Sequence, residues 1–176
     1  MRLTLVERRS GPDGTSAVFH GEGWARLGRL AGALGDPAWD VDVVLVDDAA
    51  MADLNREYRD GDGVTDVLSF SYLEEAGDGE PVLAAGARGA ACDLWPSELP
   101  GAGAVGELVL APAFIAARCA QNGWPLADEI PLLVVHGCLH LLGWDHRDEV
   151  ETEAMRDLEE SLLAGEGLAH PLRRRS

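Results

Sequence analysis

Apolar and polar residues alternate from Leu3 to Glu7, and again from Trp39 to Val46, where Val41, Val43 and Leu45 share one side. A period of two is that of a strand with a covered face. Val67 to Tyr72 and Gly106 to Ala111 read as a third and a fourth strand. Between them the spacing changes to that of helices. From Ala17 to Leu34, apolar residues fall at Val18, Trp24, Leu27, Leu30 and Leu34, and Gly35 stops the run. Asp47 or Asp48 caps a helix to about Arg59, with Met51, Leu54 and Tyr58 on one face. Asp60-Gly61-Asp62-Gly63 is a turn. Pro112 is placed to open a helix ending near Asn122-Gly123. Asp128 is the expected cap of the next helix, which runs to Leu142 with Gly143 as its stop. Its Pro131 falls early, where a missing N–H costs little. The last helix is expected over Asp148 to Ala164, with Val150, Ala154, Met155, Leu158 and Leu162 facing inward.

From Glu74 to Gly103 periodicity is lost and Ala, Gly, Pro and acidic residues dominate. The expectation is a flexible insertion at 74–103 inside one domain spanning 1–168, followed by a solvated tail at 169–176. Helices and strands mix without steady βαβ alternation. The fold class expected is α+β, a single domain with a small mixed sheet of about four strands packed with about five helices.

Composition agrees with one domain: 176 residues, of which 47% are hydrophobic. Charge adds a constraint. Acidic residues number 31 against 14 basic ones, all arginine, for a net charge of −17. Such a body is a poor general nucleic-acid coat, which needs excess cations to displace counterions. A local basic point on it remains open. No apolar run is long enough for a transmembrane helix, so no membrane partner is expected. The start MRLTLVERRS lacks a signal-peptide pattern. Cys92, Cys119 and Cys138 show no framework spacing, which favours a reducing, cytoplasmic location.

The chemistry concentrates in VVHGCLHLLGWDH. His136 and His140 are four apart on the expected helix, so their rings leave one face within reach of one ion. Gly143 breaks the helix, and the turn can return His146 to the same point. Three imidazoles with an open fourth position make a catalytic, zincin-like metal site. The spacing H-x-x-x-H-x-x-G-x-x-H is that of metzincin proteases. Those enzymes carry a Glu base directly after the first His. Here that position is Gly137, so the metal frame is kept and the protease base is not. Asp145 reads equally as a carboxylate orienting an imidazole or as a turn residue.

HGCLHLLGWDH resembles the H-G-x-L-H-L-x-G-Y-D-H signature of the YbeY family, bacterial endoribonucleases of ribosomal RNA maturation. LNREYRDGDGVTDVLSFSY is similar to that family's L-N-x-x-Y-R-x-x-D-x-P-T-D-V-L-S-F block, and VGELVL to its L-G-D-I-V-I strand. The likeness covers about Trp39 to Leu163. Trp144 stands for the usual Tyr, Val64 for Pro and Glu107 for Asp, and the stretch 74–103 is longer than usual.

The resemblance implies a single-strand-specific, metal-dependent endoribonuclease acting in ribosomal RNA maturation and ribosome quality control. Its implied partners are a ribosomal RNA precursor and the small ribosomal subunit or an assembly protein. His136, His140 and His146 would hold one ion per chain, zinc by ligand type, with nickel or another divalent metal left open. His136 and Arg59 are the catalytic candidates. Arg59 would lie in the cleft, where a guanidinium can hold two non-bridging phosphate oxygens in forked hydrogen bonds. A metal there would polarise a phosphoryl oxygen or activate water. Whether water or the RNA 2′-hydroxyl attacks stays open. Thr65 and Asp66 are expected to fix the turn into the third strand, Asn55 to pack or cap, and Ser69 to face the cleft or serve structure. Two other readings compete: a metallohydrolase acting on a peptide or small ester, and a non-catalytic ribosome-assembly factor.

Overall fold

The computed structural model describes residues 1–9, 15–35, 38–75, 81–83, 104–144 and 148–170. In chain order these form β1 (Arg2–Glu7), α1 (Ser16–Phe19), α2 (Gly21–Leu34), β2 (Asp40–Leu45), α3 (Asp48–Arg59) and β3 (Val67–Ser71). β4 (Leu73–Glu75), β5 (Pro81–Leu83), β6 (Ala104–Leu110), α4 (Pro112–Asn122), α5 (Leu126–Leu141) and α6 (Glu149–Gly165) follow. The main sheet has four strands in the order β1-β2-β6-β3. β1, β2 and β6 run parallel, with Leu3 beside Val41 and Val43 beside Leu108. β3 runs antiparallel along β6, with Ser69 beside Leu108. The architecture is α+β with a mixed four-stranded sheet, as the alternating segments predict.

β6 is buried at every position, which is why AVGELVL reads as a near-continuous apolar run instead of alternating. One sheet face packs Val41, Val43, Leu45, Leu108 and Leu110 against Leu27 and Ala31 of α2 and Ile130, Val134 and Cys138 of α5. The other packs Val44, Val109 and Leu68 against Met51 and Leu54 of α3. A third cluster covers the far side of α5, joining Val135 and Leu139 to Leu30, Met155 and Leu163. α5 is therefore enclosed between the sheet and α6, which accounts for an apolar sequence all round. Each fully buried Leu or Val of this kind contributes about 1.5–3 kcal/mol. The helix that carries His136 and His140 is thus packed on both sides.

Several boundaries differ from the pattern-based expectation. The run Ala17–Leu34 is two helices, because His20 is extended and Gly21 adopts φ +54°. α5 begins at Leu126, not at an Asp128 cap. Pro125 precedes it, and its carbonyl accepts from the amides of Asp128 and Glu129. Both acids lie in the first turn, where the helix dipole favours them. α6 is rotated from the expected face: Met155, Glu159 and Leu163 are buried, while Val150 is 77% exposed. A glutamate in the inward stripe defeats a reading by hydrophobicity alone. The expected insertion at 74–103 contains strand structure at its start, since β4 pairs antiparallel with β5; residues 76–80 and 84–103 lie outside the described residues. The expected tail at 169–176 includes one buried residue. His170 is buried at 2% exposure, and residues 171–176 lie outside the described set.

Candidate active site

His136 and His140 stand one turn apart near the C-terminal end of α5. The helix closes through Leu142 N–H donating to the Cys138 carbonyl, 3.1 Å, and Gly143 turns the chain at φ +87°. That turn brings the Trp144 carbonyl to 2.8 Å from His140 Nδ1, which donates to it. His136 Nδ1 donates to Glu159 Oε1 at 2.8 Å. With both Nδ1 atoms acting as donors, each ring in its singly protonated form presents a lone pair at Nε2. Those two Nε2 atoms lie 3.1 Å apart. Two lone pairs at that separation repel unless a cation lies between them. Two nitrogens bound to one tetrahedral zinc at about 2.0–2.1 Å would themselves be about 3.3 Å apart. The pair therefore fits a shared divalent ion. The proposed third ligand, His146, lies outside the described residues, as does Asp145. Among the described residues no group of three metal-ligating side chains is assembled.

Arg59, the last residue of α3, opens on the same cleft, together with Asn55, Thr65, Val67, Ser69, His136 and His140. The cleft measures about 260 Å³. Arg59 is exposed, and among the described residues it has no ion-pair partner. In a chain of net charge −17 a guanidinium beside two histidines is a local positive point. Its direction is set by the end of α3. Asp60 caps the helix in the left-handed region at φ 50°, and Asn55 Nδ2 donates to the Gly63 carbonyl at 3.0 Å. Asn55 thus closes the Asp60–Gly63 turn, the structural part expected of it. A Cβ at Gly61 would lie 2.5 Å from the Asn55 amide, so that turn needs glycine.

Gly137 is buried where α5 crosses the sheet. A Cβ there would meet Leu108 Cδ2 at 2.7 Å and Ser69 Oγ at 3.2 Å. The protease base is not merely missing from the sequence; any side chain there would have to displace the buried Leu108. Asp66 departs from its expected turn role. It pairs with Arg118 of α4, which also holds the buried Glu129 at 2.8 Å and lies 5.6 Å over the Trp124 ring. Burial still leaves the Asp66 carboxyl above its usual value, against the opposing effect of Arg118.

Pattern reading missed Glu159 and His170. Glu159 Oε1 takes the His136 bond, and Oε2 accepts from His170 Nε2 at 3.0 Å. Burial pushes this carboxyl up, but the hydrogen bonds from His136 and His170 outweigh it and hold the group below its ordinary value. The one signal in the sequence was a carboxylate between Met155 and Leu163 on a helix stripe. Cys119 and Cys138 are buried thiols, as expected of small apolar residues, and burial pushes Cys138 up to about 12. Cys92 lies outside the described residues. No helix among the described residues is long and apolar enough to cross a membrane.

A mixed four-stranded α+β domain that sets a histidine pair and an arginine in one cleft defines a class in which imidazole nitrogens and a guanidinium face a common space. The family is more specific. Residues 30–166 match the family model described as endoribonuclease YbeY, and the chain belongs to that family. The Rhodococcus opacus endoribonuclease YbeY is 41% identical over 127 residues, covering 72% of this chain and 63% of that protein. The Paramagnetospirillum magneticum endoribonuclease YbeY is 40% identical over 154 residues, covering 84% and 83%. The chain thus spans somewhat under two thirds of the length of the Rhodococcus relatives it matches. A solution structure from Thermotoga maritima shares the fold, with TM-score 0.50 and 21% identity over 92% of this chain and 91% of that one.

Proposed function

We propose that this protein is a metal-dependent endoribonuclease that cleaves single-stranded segments of ribosomal RNA precursors in the cytoplasm. The small ribosomal subunit or an assembly protein would present its substrate. The observation that carries the reading is Arg59, exposed and without an ion-pair partner among the described residues, in the cleft that His136 and His140 line. The relatives, named as endoribonucleases, supply the substrate class.

His136 and His140 would hold a divalent ion, zinc by donor type, with His146 as the expected third ligand. Such an ion supplies Lewis-acid stabilisation of a phosphoryl oxygen. The chain's own residues do the rest. Arg59 offers forked donors to non-bridging oxygens whose charge grows in the transition state. Glu159 and the Trp144 carbonyl hold the two rings at fixed tautomers. Among the described residues lining the cleft, none is a carboxylate. Proton removal from the attacking hydroxyl therefore does not fall to a side chain at position 137. The lack of space at Gly137 also tells against the peptidase alternative.

The test is cleavage of a defined single-stranded ribosomal RNA fragment, with casein assayed in parallel and metal content measured. About one divalent ion per chain and loss of RNA cleavage in His136→Ala are the expected results. Undiminished RNA cleavage by His136→Ala, free of contaminating nuclease, overturns the reading. The product end distinguishes attack by water, which leaves a 5′-phosphate, from attack by the 2′-hydroxyl, which leaves a 2′,3′-cyclic phosphate.

A further inference from the structure

We infer that Glu159 is a positioning residue for His136, itself held by His170, so that residues beyond the last helix help set the affinity of the histidine site for a divalent cation. The cation is part of the function proposed above, and the inference rests on that reading.

Three elements distant in sequence meet at one carboxylate. His136 comes from α5, Glu159 from the middle of α6 and His170 from the segment that follows it. The Glu159 side chain is only 6% exposed and the His170 side chain is fully buried. A buried carboxylate is costly unless its oxygens are engaged. Here each oxygen takes a separate imidazole, Oε1 from His136 at 2.8 Å and Oε2 from His170 at 3.0 Å. With the second oxygen anchored, the carboxylate cannot rotate away from the first ring.

The consequence for His136 is chemical. A carboxylate accepts and cannot donate, so it selects the tautomer with the proton on Nδ1. That leaves the lone pair on Nε2, the atom 3.1 Å from His140 Nε2. In the other tautomer, a proton would occupy the position a cation must take. Outer partners of this kind orient the ligand and raise its basicity, and their loss typically weakens metal affinity by about 10- to 100-fold. His140 receives the equivalent restraint from a backbone carbonyl, which substitution cannot remove. His136 depends on a side chain, and that side chain depends on His170.

The test uses the full chain stripped of metal. Long-range proton–nitrogen NMR reports the His136 tautomer, and Co²⁺ titration followed by visible absorption reports affinity. Wild type is expected to show the Nδ1–H tautomer and to bind one Co²⁺. Glu159→Gln keeps an acceptor for His136 and is expected to hold both the tautomer and the affinity within about threefold. Glu159→Ala is expected to mix the tautomers and to weaken Co²⁺ binding about 10- to 100-fold, with the far-ultraviolet dichroism unchanged. His170→Leu leaves Glu159 in place and is the second variant should the alanine protein fail to fold. Its expected loss in affinity is about three- to tenfold, a fraction of the effect typical of a direct outer partner. Wild-type affinity in Glu159→Ala overturns the inference, as does wild-type affinity in His170→Leu or an Nε2–H tautomer in the wild type. A wild type with the Nδ1–H tautomer that binds no Co²⁺ sinks the metal reading instead, while the tautomers of the variants still decide the positioning role.

Discussion

The Trp144 carbonyl lies 2.8 Å from His140 Nδ1, so the residue after a helix-ending glycine sets the tautomer of a ring one turn earlier. The contact is made by backbone, and Trp144 is 37% exposed. Trp144→Tyr is therefore expected to change stability by less than about 0.5 kcal/mol and to leave Co²⁺ binding intact. Gly143→Ala is different, because φ +87° places a side chain in the disfavoured left-handed region at about 1–2 kcal/mol. It is expected to lower the melting temperature and weaken Co²⁺ binding together. A Gly143→Ala protein with wild-type metal affinity would show that the turn does not govern His140.

Arg59 tests the phosphate-binding half of the proposal. Arg59→Lys keeps the charge and loses the fork. Removal of one preorganised donor typically costs about 10²–10³ in kcat, and a loss of that order is expected for RNA cleavage. Stability should stay within about 0.5 kcal/mol, since the side chain is exposed. With −17 overall and so local a cationic point, the salt dependence should be shallow. Cleavage at low RNA concentration is expected to fall with a log–log slope of about −0.7 per phosphate held, for one or two phosphates. A much steeper slope would point to a broad basic face instead.

Gly137 marks a place where packing excludes an alternative chemistry. Gly137→Ala forces a methyl group against Leu108 and Ser69 and is expected to destabilise by about 1–3 kcal/mol, read from the urea midpoint. Gly137→Glu supplies the carboxylate that the metzincin pattern has, and is expected to unfold or lose stability further without gaining casein hydrolysis. Peptidase activity in a folded Gly137→Glu protein would revive the alternative.

The Arg29–Glu166 pair gives a dependence on pH. Arg29 of α2 holds the carboxylate just past α6 by hydrogen bonds of 2.8 and 2.9 Å. These bonds hold Glu166 below its usual 4.5. A carboxyl lowered in the folded state adds stability that is fully present above about pH 4.5 and fades as the pH falls through its folded value. Glu166→Gln should therefore melt below wild type at pH 6, with the difference shrinking under pH 4.5. A difference that grows with acidity would contradict this sign.

The four strands of the main sheet, most of the helices and the His136/His140 pair were legible in the residues, because each is written in a period shorter than a dozen residues. Spacing of four on a helix brings rings together whatever lies around them, and the tetrad Asp60–Gly63 turns the chain locally. The rest depends on contacts across many residues. Arg118 takes Asp66 out of its turn role from fifty-two positions away. Glu159 occupies an inward stripe that hydrophobicity excludes, because its burial is compensated by histidines 23 and 11 positions away. Gly137 reads in sequence as the absence of a base, and in the fold as the contact that brings α5 down onto β6. Periodicity records which face an element buries. It does not record the partner that makes a buried charge tolerable, and at this site that partner fixes the tautomer.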